Sequence, residues 1–474
     1  MKKLIFTIVI ILIASTAHAA NWYVDNAVSV SGDGTSWATA WKNLTNITRV
    51  TAGDTVYISG GSTGNTQTYA VPTGAWQPTG GSLGNPITYQ IGQDAGHNGT
   101  VIFTIPSGTN PWLYLDTSQS NLVISGDAGD GAQHFKITNE ACAGYGCVDG
   151  NLGRANHVRI SYVNFQTQGS IMYFWNNGGS GYATGLEIDH NVMDADPSAD
   201  HLIFIAPACT GYGQNWIHDN VMTGLTLSNG LGVDFIQDGF GCLDIYNNWF
   251  HSSVGAYTSG QHQDGYQSIS NVQYLKIYNN RFTNISNYAI YIEGAASGSN
   301  GANLMFYNNQ IEYTDSAFGS GGHQGIAIGP HVGGLSWTNV LVANNTFVDY
   351  VGSWCIAVRD PGPYSPPVTW TNVRVINNIC WNGSGNIIDT GVTNLDNITS
   401  KTGTHFVRYT EFSLTNDMHL LGADTTFGGQ GANLSSDFTT DKDGYARQAT
   451  GAWDIGAYEY SGLRPDPPQN LQVQ

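Results

Sequence analysis

Leu275-Lys276-Ile277-Tyr278-Asn279-Asn280-Arg281-Phe282 is the stretch from which the rest of the chain can be read. Successive side chains of a strand point to opposite faces, so Leu275 and Ile277 share one face, the Asn pair makes a bend, and Phe282 turns inward again. The same phrase occurs seven times, ending in Asn191, Asn220, Asn248, Asn280, Asn309, Asn345 and Asn378, at gaps of 29, 28, 32, 29, 36 and 33 residues. A period of this length, built from short strands with no amphipathic helices between them, predicts one turn of a solenoid per phrase. Asparagine at a fixed corner favours a parallel β-helix, in which like side chains stack coil upon coil about 4.8 Å apart. On this reading Asn247, Asn279, Asn308, Asn344 and Asn377 are structural and cap corner amides through a side-chain ladder.

Composition agrees with such a scaffold. Charged residues make up 11% of the chain, against 60 Gly, 25 Tyr, 17 Phe and 13 Trp, which suits tight corners and stacked rows rather than charged helices. The net charge of −19 repels nucleic acid and other polyanions. Neutral glycans fit better, as do acidic ones bridged by Ca²⁺. Lys2 and Lys3, the apolar run 4–14 and Ala17-His18-Ala19 read as an export signal over 1–19, with no second apolar run to span a membrane. Six cysteines in an exported chain invite disulfides. Cys142 and Cys147 bracket a glycine-rich loop, and stacking of consecutive coils would bring Cys209 and Cys242 together. Cys355 and Cys380 offer no such geometry.

Residues 20–85 read as an N-terminal cap with first strands, including a short helix between Gly34 and Leu44 and the strand around Val56 and Ile58. A solenoid end must be covered, because an open rung would template aggregation. The coil and its closing segment occupy 86–460. The chain nears its end with Asp441-Lys442-Asp443-Gly444-Tyr445-Ala446-Arg447 and Trp453-Asp454-Ile455-Gly456-Ala457-Tyr458-Glu459. These phrases, with the cap segment, resemble the ends of exported bacterial proteins of the pectate lyase-like superfamily. That resemblance covers nearly all of the mature chain and implies an all-β fold, a right-handed parallel β-helix of three sheets. Asp441 and Asp443 are candidate Ca²⁺ ligands, although a carboxylate pair in a loop more often forms a turn. Residues 461–474 read as a linker, and Pro465-Asp466-Pro467-Pro468 with the residues after it resembles the opening of a fibronectin type III module.

In such a fold a second apolar strand lies between the asparagine phrases, over 202–206, 233–238, 264–269, 289–293, 325–329 and 355–359. The loops leading into these strands carry His, Asp, Gly and aromatic residues, as binding loops on a rigid scaffold do. Asp234 and Asp238 lie four apart on one strand and so share a face, which should point outward, with Phe235 inward and Gln237 less comfortably beside it. If Asp234 and Asp264 match in adjacent coils, their carboxylates lie about 5 Å apart, an arrangement that raises one pKa and sets an acid beside a base. Glu293 lies one coil further on. His262 and His323 enter from the loops as proton donors or orienting groups. Tyr266, Tyr291 and Trp354 offer stacking faces to sugar rings, with Gln267 and Arg359 as further contacts.

The resemblance also bears on the reaction. Lyases of the superfamily abstract a proton with Lys or Arg near bound Ca²⁺, whereas its hydrolases use Asp. The middle strands here hold no Lys, and Arg359 is their only Arg. The sequence therefore predicts a monomeric, secreted or surface-attached enzyme that cleaves an extracellular polysaccharide by carboxylate acid/base chemistry with no required cofactor. Two alternatives stand beside it: a Ca²⁺-dependent lyase, favoured if Arg359 or Lys276 converges on a carboxylate cage, and a non-catalytic adhesin.

Overall fold

The structure, a computed structural model, describes residues 19–105, 111–142, 146–150, 155–174, 184–195, 201–207, 211–223, 234–251, 263–268, 270–294, 300–316, 324–330, 332–360, 362, 366–422 and 424–460. Three parallel sheets of 13, 12 and 10 strands run side by side along it, and neighbours in each sheet come from successive coils. One coil comprises Val272–Tyr278 in the first sheet, Arg281–Thr283 in the second and Tyr288–Gly294 in the third. Gly301–Tyr307 then begins the next coil. The chain is a parallel β-helix, as its repeat predicts, and a right-handed one of three sheets, as the resemblance implies.

The register explains the periodic sequence. Ile245, Ile277, Phe306, Val342 and Val375 stack in order on the first sheet. Phe250, Phe282, Ile311 and Phe347 do so on the second. All nine are fully buried, and the Phe250 and Phe282 rings lie parallel with centroids 4.5 Å apart. Burying each such side chain contributes about 1.5–3 kcal/mol, so a coil's stability depends on its neighbours.

The asparagine ladder exists, one residue further on than expected. The backbone N–H of Asn248 donates to the Asn280 side-chain oxygen at 2.9 Å, Asn280 to Asn309 at 3.0 Å, and Asn309 to Asn345 at 3.0 Å. The same link joins Asn191, Asn220 and Asn248 at one end and Asn345, Asn378 and Asn397 at the other. The ladder is thus built from the second asparagine of each pair. The first of each, Asn247, Asn279, Asn308, Asn344 and Asn377, supplies the bend itself, with φ between 52° and 58°, a left-handed conformation that Asn tolerates better than most residues.

At the start, Asn21–Val24 pairs with Thr55–Ile58 as the first rung. The expected short helix is two single 3₁₀ turns, Trp37–Thr39 and Leu44–Asn46. Trp41 between them stacks on Trp22, centroids 5.1 Å apart, which pulls the chain out of helical register. At the other end, residues 440–459 lie back along the asparagine corner. There the side-chain amides of Asn308 and Asn344 donate to the carbonyls of Thr440 and of Asp454 and Gly456. Arg447 is buried there with Glu459, at 2.8 Å.

Cys142 is bonded to Cys147, as its spacing suggests. Cys355 and Cys380 are bonded as well, contrary to expectation, because both point into the core from adjoining sheets and bring their Cα atoms within 5.9 Å. Cys242 is disulfide-bonded and buried; Cys209 lies outside the described residues. Among the described residues no helix is long and apolar enough to cross a membrane.

Candidate functional site

The third sheet contains the strands His201–Ile205, Asp234–Asp238, Tyr266–Ser268, Tyr288–Gly294, Gln324–Pro330 and Trp354–Val358. Its phase is set by the buried column Ile203, Ile236, Tyr266, Ile290, Ile326 and Ile356, one residue per coil. Two residues on, the next inward column is Ile205, Asp238, Ser268, Ile292, Ile328 and Val358.

Asp238 therefore points into the core, not outward. Its carboxylate accepts the N–H groups of Phe240 at 2.9 Å and Gly241 at 2.8 Å and the Tyr266 hydroxyl at 2.7 Å. Burial pushes its pKa up to about 7 although those three donors pull it down. Tyr266, expected as a stacking face, is wholly buried as the partner of Asp238. Phe235 is inward as expected, against Phe250, and Gln237 is outward.

Asp234 and Asp264 do occupy successive coils, since the N–H of Phe235 donates to the Asp264 carbonyl at 2.9 Å. They form a short carboxylate ladder: Asp234 Oδ1 accepts the Asp264 N–H at 3.1 Å, and Asp264 Oδ1 accepts the Tyr288 N–H at 3.0 Å. Asp264 is fully buried within it and Asp234 nearly so. The outward-pointing column is Gln237, Gln267 and Tyr291, of which Gln267 and Tyr291, expected as exposed sugar contacts, are themselves buried under the neighbouring side chains. Here the amide of Gln237 donates to Gln267 at 2.9 Å and that of Gln267 to Glu293 Oε2 at 3.2 Å, while Gln237 also reaches Asp234 Oδ2 at 3.5 Å. A chain of acid, amide, amide and acid thus crosses three coils.

Aromatic rings bracket that chain. On one side Phe204 lies between Tyr173 and His201, at 4.9 Å from each. On the other, Tyr288 stacks on Tyr291 at 4.4 Å. Trp354 follows two coils beyond Tyr288 in its column and is 37% exposed. Glu293 lies beside Gly329, where an added Cβ would meet nothing nearer than 4.0 Å, and the next coil places Arg359 beyond that gap. His262 and His323 lie outside the described residues. Gln237, Tyr173, Phe204, His201 and Tyr288 escaped the sequence reading. The columns Ile203/Ile205 and Ile290/Ile292 were the signal that would have placed them.

Charged groups elsewhere have other partners. Lys276 belongs to the first sheet, with its ammonium 4.6 Å from the Tyr212 ring centre, and does not approach Arg359's sheet. Asp441 accepts the N–H groups of Asp443, Tyr445 and Glu459, whereas Asp443 holds the His419 ring at 2.7 Å, so the two carboxylates serve a turn and an imidazole separately. Among the described residues two overlapping groups have ligand atoms within 4.8 Å of one another, Glu187 with Asp189 and His218, and His190 with His218 and Asp219. Positive charge is already present there: Arg159 holds Asp189 at 2.6 Å, and His218 contacts Asp219 at 2.7 Å and Glu187 at 3.3 Å.

Burial alone would lower the His218 pKa, but the hydrogen bonds to Asp219 and Glu187 and the charge of Asp189 outweigh it and raise it to about 9. A folded pKa above the unfolded one means stability that is complete below about pH 6.5 and lost as pH rises through 9. The expected loss is on the order of 3 kcal/mol. Urea unfolding at pH 6 and pH 9.5 should show it, and His218→Asn should remove that share of the difference; an identical pH response in the variant would refute the assignment.

No family model and no curated protein matches the sequence. Among solved structures, the chain is similar to a rhamnogalacturonan lyase at 16% identity and a TM-score of 0.38, over 84% of this chain and 93% of that one. It is also similar to pectate lyase Pel9A at 14% identity and 0.30, over 93% and 96%. A third likeness, to a GH136 lacto-N-biosidase from Eubacterium ramulus, has 14% identity and a TM-score of 0.35, over 81% and 68%. Likenesses this distant carry no argument about chemistry.

Proposed function

We propose that this protein is an extracellular carbohydrate-active enzyme that binds a neutral polysaccharide across the outer face of the third sheet and cleaves it with Glu293 and Asp234. The observation that carries this reading is the hydrogen-bonded row Asp234, Gln237, Gln267 and Glu293 set between two groups of stacked rings. Sugar hydroxyls both donate and accept, which amides and carboxylates answer, while the rings cover the apolar faces of the sugar. Asp234 and Glu293 are two coils apart, and Glu293 also lies five residues further along the strand direction than the column of Asp234, Asp264 and Tyr288, so it is the amide row that links the two carboxylates. Disulfides support a location outside the cytoplasm.

Arg359 beyond the Gly329 gap is the observation that favours a lyase, since its guanidinium could hold the carboxylate of a uronate placed there and stabilise the charge that builds up as the α-proton leaves. Purified protein incubated with a polysaccharide panel, with and without chelator, separates these readings through reducing ends and unsaturated-uronate absorbance. Hydrolysis should fall at least about 10³-fold in Glu293→Gln and Asp234→Asn. Chelator-sensitive unsaturated products would replace hydrolase with lyase. No product from any glycan, with binding intact in an Asp234→Ala/Asp264→Ala variant, would end the enzyme reading.

A further inference from the structure

A second cleft, of about 840 Å³, runs along the asparagine corner where the C-terminal segment stops covering it. Ligand pockets typically measure about 300–1,000 Å³. Its floor continues the outer asparagine row. Three members of that row are engaged by the C-terminal segment, and Asn344 also accepts from Asn377. Asn308 donates to Thr440 and accepts from Arg447, Asn344 donates to Asp454 and Gly456, and Asn377 both donates to and accepts from Ala432. The next two, Asn279 and Asn247, line the cleft instead. The side-chain oxygen of Asn279 is buried and has no hydrogen-bond partner. So is the side-chain amide nitrogen of Asn416, on the hairpin that forms the opposing wall.

One buried acceptor and one buried donor without partners cost about 1–3 kcal/mol each, and native structures seldom leave such groups without a reason. Several charged groups of the cleft have partners: Arg281 holds Glu312, His419 holds Asp417 and Asp443, and Arg408 donates to the Thr415 carbonyl. Carboxylates (Asp130, Asp219, Asp417, Asp443) and cations (Arg281, Arg408, Lys442) line it together, so neither sign dominates for an ionic ligand. The Tyr458 and Tyr162 rings line the same space.

We infer that this cleft is a second binding site, distinct from the third-sheet face, for a short neutral oligosaccharide whose hydroxyls donate to Asn279 and accept from Asn416. A hydroxyl both donates and accepts without bringing charge, so a sugar that presents several of them answers both orphaned atoms. Occupancy at the corner holds a glycan on the scaffold without placing it near Glu293.

Calorimetric titration with cellotriose, xylotriose, mannotriose and galactotriose tests this on the wild type, Asn279→Gly, Asn416→Asp and Glu293→Ala. Glycine keeps the left-handed backbone that Asn279 adopts at φ 56°, and aspartate keeps the acceptor that Asn416 offers to the Thr410 N–H. At least one trisaccharide should bind and lose tenfold or more in affinity in both asparagine variants, with melting temperature unchanged and binding retained in Glu293→Ala. Binding that survives within twofold in both asparagine variants overturns the inference. So does binding lost only in Glu293→Ala, or the absence of binding by all four sugars.

Discussion

Replacing Asn280 with Ala should destabilise the coil by about 5 kcal/mol, far beyond what one polar side chain usually contributes. Its oxygen accepts the Asn248 N–H at 2.9 Å and the Asn248 amide at 3.1 Å; its nitrogen donates to the carbonyls of Ile245 and Tyr278 and to the Asn309 side chain. All of this lies in the core, where Asn280 is fully buried. Alanine ends five hydrogen bonds and strands donors and acceptors on coils above and below. Chemical denaturation, with amide exchange of the 245–311 rungs, measures the effect. Because rungs are stabilised chiefly by their neighbours, exchange should quicken first on both sides of the lesion. A loss below about 1 kcal/mol would mean that packing, not the ladder, holds the corner.

Asp238→Ala should cost about 3–5 kcal/mol, because it leaves the N–H groups of Phe240 and Gly241 and the Tyr266 hydroxyl without an acceptor in a site from which water is excluded. Its pH dependence is the sharper test. With a folded pKa of about 7 against an ordinary 3.8, the native state keeps a proton that the unfolded chain has released between those values. Stability is greatest below about pH 4, declines as pH rises through 7, and levels off above it, a total of about 4 kcal/mol. Asp238→Asn, which cannot ionise, should abolish that slope even if it lowers stability throughout. A wild-type curve that rises between pH 4 and 7 and a variant curve of the same shape would together refute the assignment.

The coil was legible because Ile277, Phe282 and their counterparts repeat with the geometry that buries them, and Asn280 repeats with the bend. What misled was the start of each third-sheet strand. Leu202 and Ile203, Phe235 and Ile236, Ala289 and Ile290, and Cys355 and Ile356 all point inward as consecutive pairs, which breaks the alternation that strands otherwise keep. Strict alternation from Phe235 therefore placed Asp238 outside and Gln237 inside. The burial of Tyr266 follows from the same slip. Pairing of Cys355 with Cys380 depends on which sheets they join, and spacing in the chain does not encode that. The partner of each outer asparagine lies more than a hundred residues away in two cases, as with Asn308 and Thr440, separated by 132.

That long reach bears on how the molecule is made. Coils can wind as they leave the ribosome or a translocation pore, each on the one before, but Asn308 and Asn344 stay wet until residues 440–459 arrive to seal them. The final stretch of the described chain thus works as a late latch. A molecule nicked near residue 430 would keep its wound body and lose that seal, so a protease should open it from the middle of the corner rather than from its first rung.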